Sequence, residues 1–172
     1  GNLCRCTGYA PIIRAAQAAA QRPAPSWMNE RPEPQALQSR DDIFCPKSSD
    51  ELAHWYARNP NATLIAGGTD VGLWVTKKMQ DLGPIAFISH AQDLRHIHDE
   101  GDRLRIGAAV IITHLRQARR PISASMNQLF SRAGSRKVRN AEAIGGNIAN
   151  GSPFGDGSPD LMAMCARLVL RR

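Results

Sequence analysis

The sequence lacks the long apolar runs and the dense cysteine framework that would each indicate a particular class of protein. No apolar run in its 172 residues approaches the ~20 that a membrane-spanning helix needs. Of its four cysteines only Cys4 and Cys6 are close together, which is unlike a secreted disulfide-rich domain. We therefore expect a cytoplasmic protein that does not associate with membranes. We also expect Cys45 and Cys165 to be small core residues, because free cysteines are commonly buried.

Aromatic residues, on which nucleic-acid bases could stack, are also scarce, at 5% of the sequence. The basic residues that produce the net charge of +7 are scattered, apart from a modest cluster between Arg132 and Arg139. Nucleic-acid binding usually combines a concentrated basic surface with a recognisable binding motif, so we do not expect a nucleic-acid partner. A positive field also suits a dianionic cofactor or an acidic partner subunit.

The familiar signatures of catalysis and phosphate binding are missing as well. Neither Gly-x-Gly-x-x-Gly nor Gly-Lys-Ser/Thr is present, and neither a Ser-His-Asp arrangement nor paired carboxylates can be argued. His96 and His98 lie on one face of a predicted strand, which we interpret as solvated because further metal ligands are not nearby. The chemistry must therefore come from bound cofactors.

What the sequence does contain is two glycine-rich segments. Residues 64–70, Leu-Ile-Ala-Gly-Gly-Thr-Asp, predict a strand buried on both faces that feeds a phosphate-cradling turn at the start of a helix. Residues 144–148, Ile-Gly-Gly-Asn-Ile, predict a second turn of the same character. Singly, each is as well explained by a structural turn. Together they favour a cofactor cradle, with Thr69, Asn147, Ser152 and Asp156 supplying hydrogen-bonding groups.

The third informative segment is the first nine residues, Gly-Asn-Leu-Cys-Arg-Cys-Thr-Gly-Tyr. Two cysteines one residue apart cannot easily form a disulfide with each other, but both can point at one metal centre. A zinc ion or an iron–sulfur cluster would need about four thiolates, so other ligands would have to lie elsewhere. A pair of free thiols in a loop is an equally good explanation of the spacing.

The chain divides into three predicted parts. Residues 1–20 end in an alanine-rich helix that begins near Pro11, residues 21–42 form a proline-rich linker, and residues 43–172 form an α+β domain. In that domain we predict a capping box at Ser48 and Glu51, a hairpin about residues 99–102, and a short helix capped by Thr113. A last helix should begin at residues 158–160 and bury Leu161, Met162 and Cys165. We expect the chain to be a piece of a longer protein, with the last domain incomplete.

These segments resemble the molybdenum hydroxylases, and in particular their xanthine dehydrogenase branch. Residues 1–9 are similar to the second half of the motif that binds the second 2Fe–2S cluster of that family. Residues 64–70 and 143–148 are similar to the two FAD-binding turns of its flavin domain. The resemblance covers nearly the whole chain. It implies a FAD-binding domain of the PCMH, or vanillyl-alcohol-oxidase-like, α+β type, preceded by the C-terminal end of a helical 2Fe–2S domain.

The resemblance also implies residue roles. Cys4 and Cys6 would be two of the four ligands of a 2Fe–2S cluster. The family often places an aromatic ring near the flavin at a position that is alanine, Ala133, in this sequence. The FAD-binding residues would be Leu64, Ile65, Ala66, Gly67, Gly68, Thr69, Asp70, Val71, Ala143, Gly145, Gly146, Asn147 and Asp156.

The function implied is electron transfer. A molybdenum cofactor on a large partner subunit would oxidise hypoxanthine and xanthine to urate, and this chain would pass the electrons through its cluster to FAD and on to NAD. The assembly would be a hetero-oligomer with two of each subunit. The alternatives are the same role in a hydroxylase that oxidises aldehydes or N-heterocycles, and a non-catalytic assembly module that has lost its cofactors.

Overall fold

The computed structural model describes residues 8–29, 42–118, 124–153 and 155–171. The contacts divide the chain into one unit at residues 2–39 and another that spans residues 40–172. The first unit contains helix α1 (Tyr9–Ala20), as the alanine-rich run predicts, and a short 3-10 helix (Ser26–Asn29). Cys4, Cys6 and most of the predicted linker lie outside the described residues. Among those described, no helix has both the length and the apolar character that crossing a membrane requires.

The second unit combines two small sheets with seven short α-helices and two 3-10 helices (Ile88–His90 and Gln92–Leu94) in its described part. Strands β1 (Ile43–Phe44), β2 (Thr63–Ile65) and β3 (Ile85–Phe87) form a parallel sheet in the order β1-β3-β2, and β4 (Ile97–Asp99) pairs with β5 (Leu104–Ile106) as an antiparallel hairpin. The helices are α2 (Ser49–Arg58), α3 (Val71–Lys78), α4 (Ile112–Arg116), α5 (Ala124–Arg132), α6 (Arg136–Arg139), α7 (Ile144–Asn150) and α8 (Gly157–Ala163). This mixture of helix and sheet confirms the predicted α+β class.

Helix α2 begins with the predicted cap. The Ser48 hydroxyl accepts a hydrogen bond from the Glu51 N–H at 3.2 Å, which satisfies one of the amides at the start of the helix. The Glu51 carboxylate accepts from the Lys47 N–H at 2.7 Å. The Asp93 carboxylate accepts from the Ser49 N–H at 3.0 Å. The start of α2 is therefore held both by its own cap and by Asp93, 44 residues away in the sequence.

The hydrophobic core lies among α4, α5 and α7. Its fully buried members are Val110, Ile112, Leu115, Met126, Phe130 and Ile144. The hairpin contributes Ile97 and Ile106 at the edge of this cluster. The second glycine segment is part of α7, and its residues Ile144 and Ile148 pack in or against this core, which holds the segment in place.

Two local predictions about strand burial and capping are wrong. Ile65 is 8% exposed but Leu64, whose side chain alternates to the opposite face of β2, is 39% exposed, so only one face of this strand is covered. Thr113 lies inside α4, where its hydroxyl donates to Asn140 Oδ1 at 2.6 Å, and Ile111 occupies the cap position.

The prediction for the last helix is also wrong in its boundaries. Helix α8 begins at Gly157, with Asp156 in the cap position, and ends at Ala163. Cys165 lies beyond that end with φ of 53°, so it does not share a helical face with Leu161. Met162 and Cys165 are exposed, and so is Cys45. None of these three side chains is part of the core.

Candidate functional site

The first glycine segment connects β2 to α3 and packs directly on another stretch of backbone. Gly68 has φ of +67°, the left-handed region that favours glycine. A Cβ on Gly67 would lie 1.7 Å from the carbonyl oxygen of Ala141 and 3.1 Å from the Glu142 nitrogen. The turn and residues 141–142 are therefore in backbone contact, which no larger residue at position 67 would permit.

The amide groups of this turn are hydrogen-bond donors without acceptors. The Gly68 carbonyl accepts from the Gly72 N–H at 2.9 Å, and the Asp70 carbonyl accepts from the Leu73 N–H at 2.8 Å. Within the described residues, the N–H groups of Gly68, Thr69 and Asp70 have no hydrogen-bond partner. Unpaired N–H groups at the start of a helix attract anions, because the donors and the helix dipole act in the same direction. The turn is therefore suited to a phosphate group.

The second glycine segment is the first turn of α7 and not a separate loop. Its Ile144 N–H donates to the Val110 carbonyl and its Gly145 N–H to the Ala108 carbonyl, both at 2.9 Å. A Cβ on Gly145 would lie 2.7 Å from Ala108, so this glycine permits close packing. The Gly146 N–H has no partner in the described part of the chain. Gly146 therefore offers a further free donor.

Asn147 is engaged within the protein through both ends of its side-chain amide. Its Nδ2 donates to the Glu142 carboxylate at 2.7 Å, and its Oδ1 accepts from the Gly157 N–H at 3.1 Å. A Cβ on Gly157 would lie 2.4 Å from that Oδ1, so position 157 requires glycine while Asn147 holds this orientation. Asn147 thus connects α7 to the start of α8.

The two glycine segments line one cleft of about 350 Å³, a volume in the range of small-molecule sites. The sequence-predicted residues that the structure brings together there are Leu64, Ala66, Gly67, Gly68, Thr69, Asp70, Val71, Ala143, Gly146 and Asn147. Three others do not line it. Ile65 points into the protein, Gly145 packs on Ala108, and Asp156 lies at the start of α8.

The cleft also contains residues that the sequence motifs do not include. They are Tyr56, Ala62, Thr63, Trp74, Glu142, Ala149 and Asn150. Trp74 lies one helical turn after Asp70, so the helical spacing could have indicated it. Tyr56 comes from α2, a distant part of the chain, and nothing local to its sequence marks it.

The cleft is unusual in its charge. Asp70 and Glu142 contribute carboxylates, and the described residues that line the cleft include neither Lys nor Arg. Metal binding has little support in the described residues, which include no group of three His, Cys, Asp or Glu side chains able to hold an ion. The rings of His96 and His98 are 6.1 Å apart in an edge-to-face arrangement. With neither Lys nor Arg in its described lining, the cleft suits a ligand held by backbone amides.

Residues 37–172 match the family described as the FAD binding domain in molybdopterin dehydrogenase. The nicotinate dehydrogenase FAD-subunit of Eubacterium barkeri is 30% identical over 134 residues, which is 75% of this chain and 45% of that protein. The xanthine dehydrogenase of Drosophila pseudoobscura pseudoobscura is 26% identical in an alignment that covers 98% of this chain and 17% of that protein.

Solved structures agree with the sequence matches. Carbon monoxide dehydrogenase from Hydrogenophaga pseudoflava, in a form without the Mo-pyranopterin moiety, superimposes with a TM-score of 0.60 at 28% identity, covering 69% of this chain and 42% of that chain. Quinoline 2-oxidoreductase from Pseudomonas putida 86 gives a TM-score of 0.58 at 20% identity, covering 62% of this chain and 38% of that chain, which shows the shared fold. The chain thus spans less than half the length of each of these proteins.

Proposed function

Because this chain belongs to the family of FAD binding domains in molybdopterin dehydrogenases, we propose that the cleft between its two glycine segments binds the diphosphate of FAD. The observation that carries the proposal is the set of unpaired N–H groups at Gly68, Thr69, Asp70 and Gly146. A diphosphate offers several acceptor oxygens and can accept hydrogen bonds from both sides of the cleft. Binding there would order both segments about one ligand.

The residues present fit that group. Asp70 occupies the N-cap position of α3, but its carboxylate makes no capping hydrogen bond. That carboxylate and the Thr69 hydroxyl would complement sugar or ribityl hydroxyls. Leu64 adds an exposed apolar side chain. Asp156 lies outside the cleft lining, so its proposed polar contact would be with a part of the ligand that extends beyond the cleft. FAD, when bound, would accept and release the electrons of the reaction.

We place the domain in an electron-transfer chain of the xanthine dehydrogenase type. The proposed partner is a large subunit that binds the molybdenum cofactor, the substrate is hypoxanthine or xanthine, and NAD is the final acceptor. Similarity to xanthine dehydrogenases over 98% of this chain supports that choice. The Eubacterium barkeri relative favours a second candidate, the same role in an enzyme that oxidises an N-heterocycle. Assaying the assembled enzyme on xanthine and on nicotinate separates the two.

We also propose that Cys4 and Cys6 are two of the four thiolates of a 2Fe–2S cluster. Cys4→Ser should then stop electron flow to FAD while the flavin content is unchanged. Loss of FAD in that variant would contradict a division into separate cluster and flavin domains.

The FAD proposal is tested on the native full-length protein with its partners. The visible spectrum should show flavin bands that bleach when NADH is added. Gly146→Val should lower FAD affinity at least about tenfold, because the side chain would fill the space over its free N–H, where Ala66 is 3.8 Å from the position of a Cβ. Gly72→Val is the matched control, since nothing lies within 4 Å of a Cβ there. A colourless native protein would overturn the proposal and favour the assembly module.

A further inference from the structure

A hydrogen-bonded chain of three residues connects the two sides of the cleft to the start of α8. The Asn147 amide donates to the Glu142 carboxylate at 2.7 Å and accepts from the Gly157 N–H at 3.1 Å. Glu142 and Asn147 are both half-buried, so neither is freely solvated. Buried hydrogen bonds to a charged group are among the stronger ones, and leaving one partner unpaired is costly.

Glu142 starts this chain from a fixed position. Its N–H donates to the Val138 carbonyl at 2.7 Å, and its carbonyl accepts from the Ile112 N–H at 3.0 Å. Its nitrogen also lies 3.1 Å from the position of a Cβ on Gly67, which places it against the first glycine segment. The backbone of Glu142 is therefore fixed against the first glycine segment, five residues before Asn147.

The chemistry of a carboxylate determines the direction of the whole chain. An ionised carboxylate only accepts hydrogen bonds, so Asn147 must turn its NH2 group toward Glu142 and its oxygen toward Gly157. The opposite orientation would bring oxygen against oxygen at Glu142 and place two donors together at Gly157. Residue 142 thus selects one of the two amide orientations of Asn147.

We propose that Glu142 is a positioning residue for the FAD site, which fixes the Asn147 amide and through it holds the Asp156–Gly157 start of α8 against α7. This inference rests on the function proposed above. It assigns a role in binding to a residue that lies outside both glycine segments and acts through its hydrogen bond to Asn147. It also explains why an acidic group is kept in a cleft suited to an anion, since that charge is directed at Asn147.

The test exchanges donor and acceptor. N147D opposes two carboxylates, and E142A leaves the Asn147 NH2 group without its acceptor, so each should weaken FAD binding about tenfold. E142Q can still accept through its amide oxygen and should stay within about threefold of the unaltered protein. The double variant E142Q/N147D lets the new amide donate to the new carboxylate, and it should recover most of the affinity lost in N147D.

Two readouts on the native full-length protein with its partners distinguish the possible failures. FAD affinity is measured by flavin fluorescence during titration of flavin-free protein. Hydrogen exchange of a peptide that contains the Gly157 amide, measured without FAD, should be faster in N147D and E142A and slow again in the double variant. The matched control is E100A, which removes an exposed carboxylate that pairs with Arg103 at 3.8 Å and should change neither quantity.

If the double variant is no better than N147D in both readouts, or if E142A behaves as E100A does, the positioning role is wrong. If the unaltered protein binds no FAD but the exchange results follow the expected pattern, the FAD proposal fails while the hydrogen-bonded chain stands.

Discussion

Gly67→Ala is the substitution for which the structure gives the sharpest expectation. The added Cβ would lie 1.7 Å from the Ala141 carbonyl oxygen and 2.4 Å from its carbon, well inside the 3.0 Å that real contacts respect. The obstacle is backbone, so no side-chain rotation can relieve it. Overpacking of this kind typically costs 1–3 kcal/mol, and we expect about 3 kcal/mol of lost folding free energy here because two backbone segments must separate.

The same substitution at Gly72, five residues further along the chain, is the matched control. Nothing lies within 4 Å of a Cβ at that position, and Gly72 is inside α3. Replacing a helical glycine by alanine should stabilise the protein by about 0.5–1 kcal/mol. Denaturant unfolding of the flavin-free proteins measures both changes, and FAD content measures whether the cleft survives. Equal stability of the two variants would refute the close approach between the first glycine segment and residues 141–142.

Two further predictions concern the core and the acid limit of stability. Phe130→Ala should cost 3–5 kcal/mol in denaturant unfolding because Phe130 is 2% exposed and central to the core, and a loss below about 1 kcal/mol would contradict that placement. Asp93 is exposed, and its slight desolvation acts to raise its pKa, but hydrogen bonds from Ser49 and the charge of Arg171 bring that pKa below its ordinary 3.8. Its stabilising effect should therefore be present near neutral pH and be lost as the pH falls below about 4, where Asp93→Asn and the unaltered protein should converge in stability.

The parts of this molecule that the sequence predicts are those specified locally. The capping pair at Ser48 and Glu51 and the hairpin about residues 99–102 each depend on residues within a few positions of one another. The turn at Gly68 depends on one backbone angle that glycine favours. Such features need no knowledge of the rest of the chain.

What the sequence does not predict depends on distant partners. Thr113 suits a cap by its chemistry, but Asn140, 27 residues away, supplies an acceptor that draws its hydroxyl elsewhere. Glu142 has no motif around it, because its role follows from where Asn147 and Gly157 lie in the folded chain. The burial expected at Cys45 and Met162 fails for the same reason, since apolar character alone does not say which surface another segment will cover.

The charge of the cleft leads to a last prediction, about salt. The net charge of +7 would suggest that cations attract the diphosphate, yet the described residues that line the cleft include two carboxylates and neither lysine nor arginine. Amides act at hydrogen-bond distance and are little screened, whereas attraction by surface cations falls steeply with ionic strength. FAD affinity should therefore change by less than about twofold between low salt and 0.5 M salt. Lys78 lines a neighbouring depression that shares Trp74 and Asn150 with the cleft. A steep loss of FAD affinity with added salt that disappears in Lys78→Gln would show that a side-chain cation holds the ligand instead.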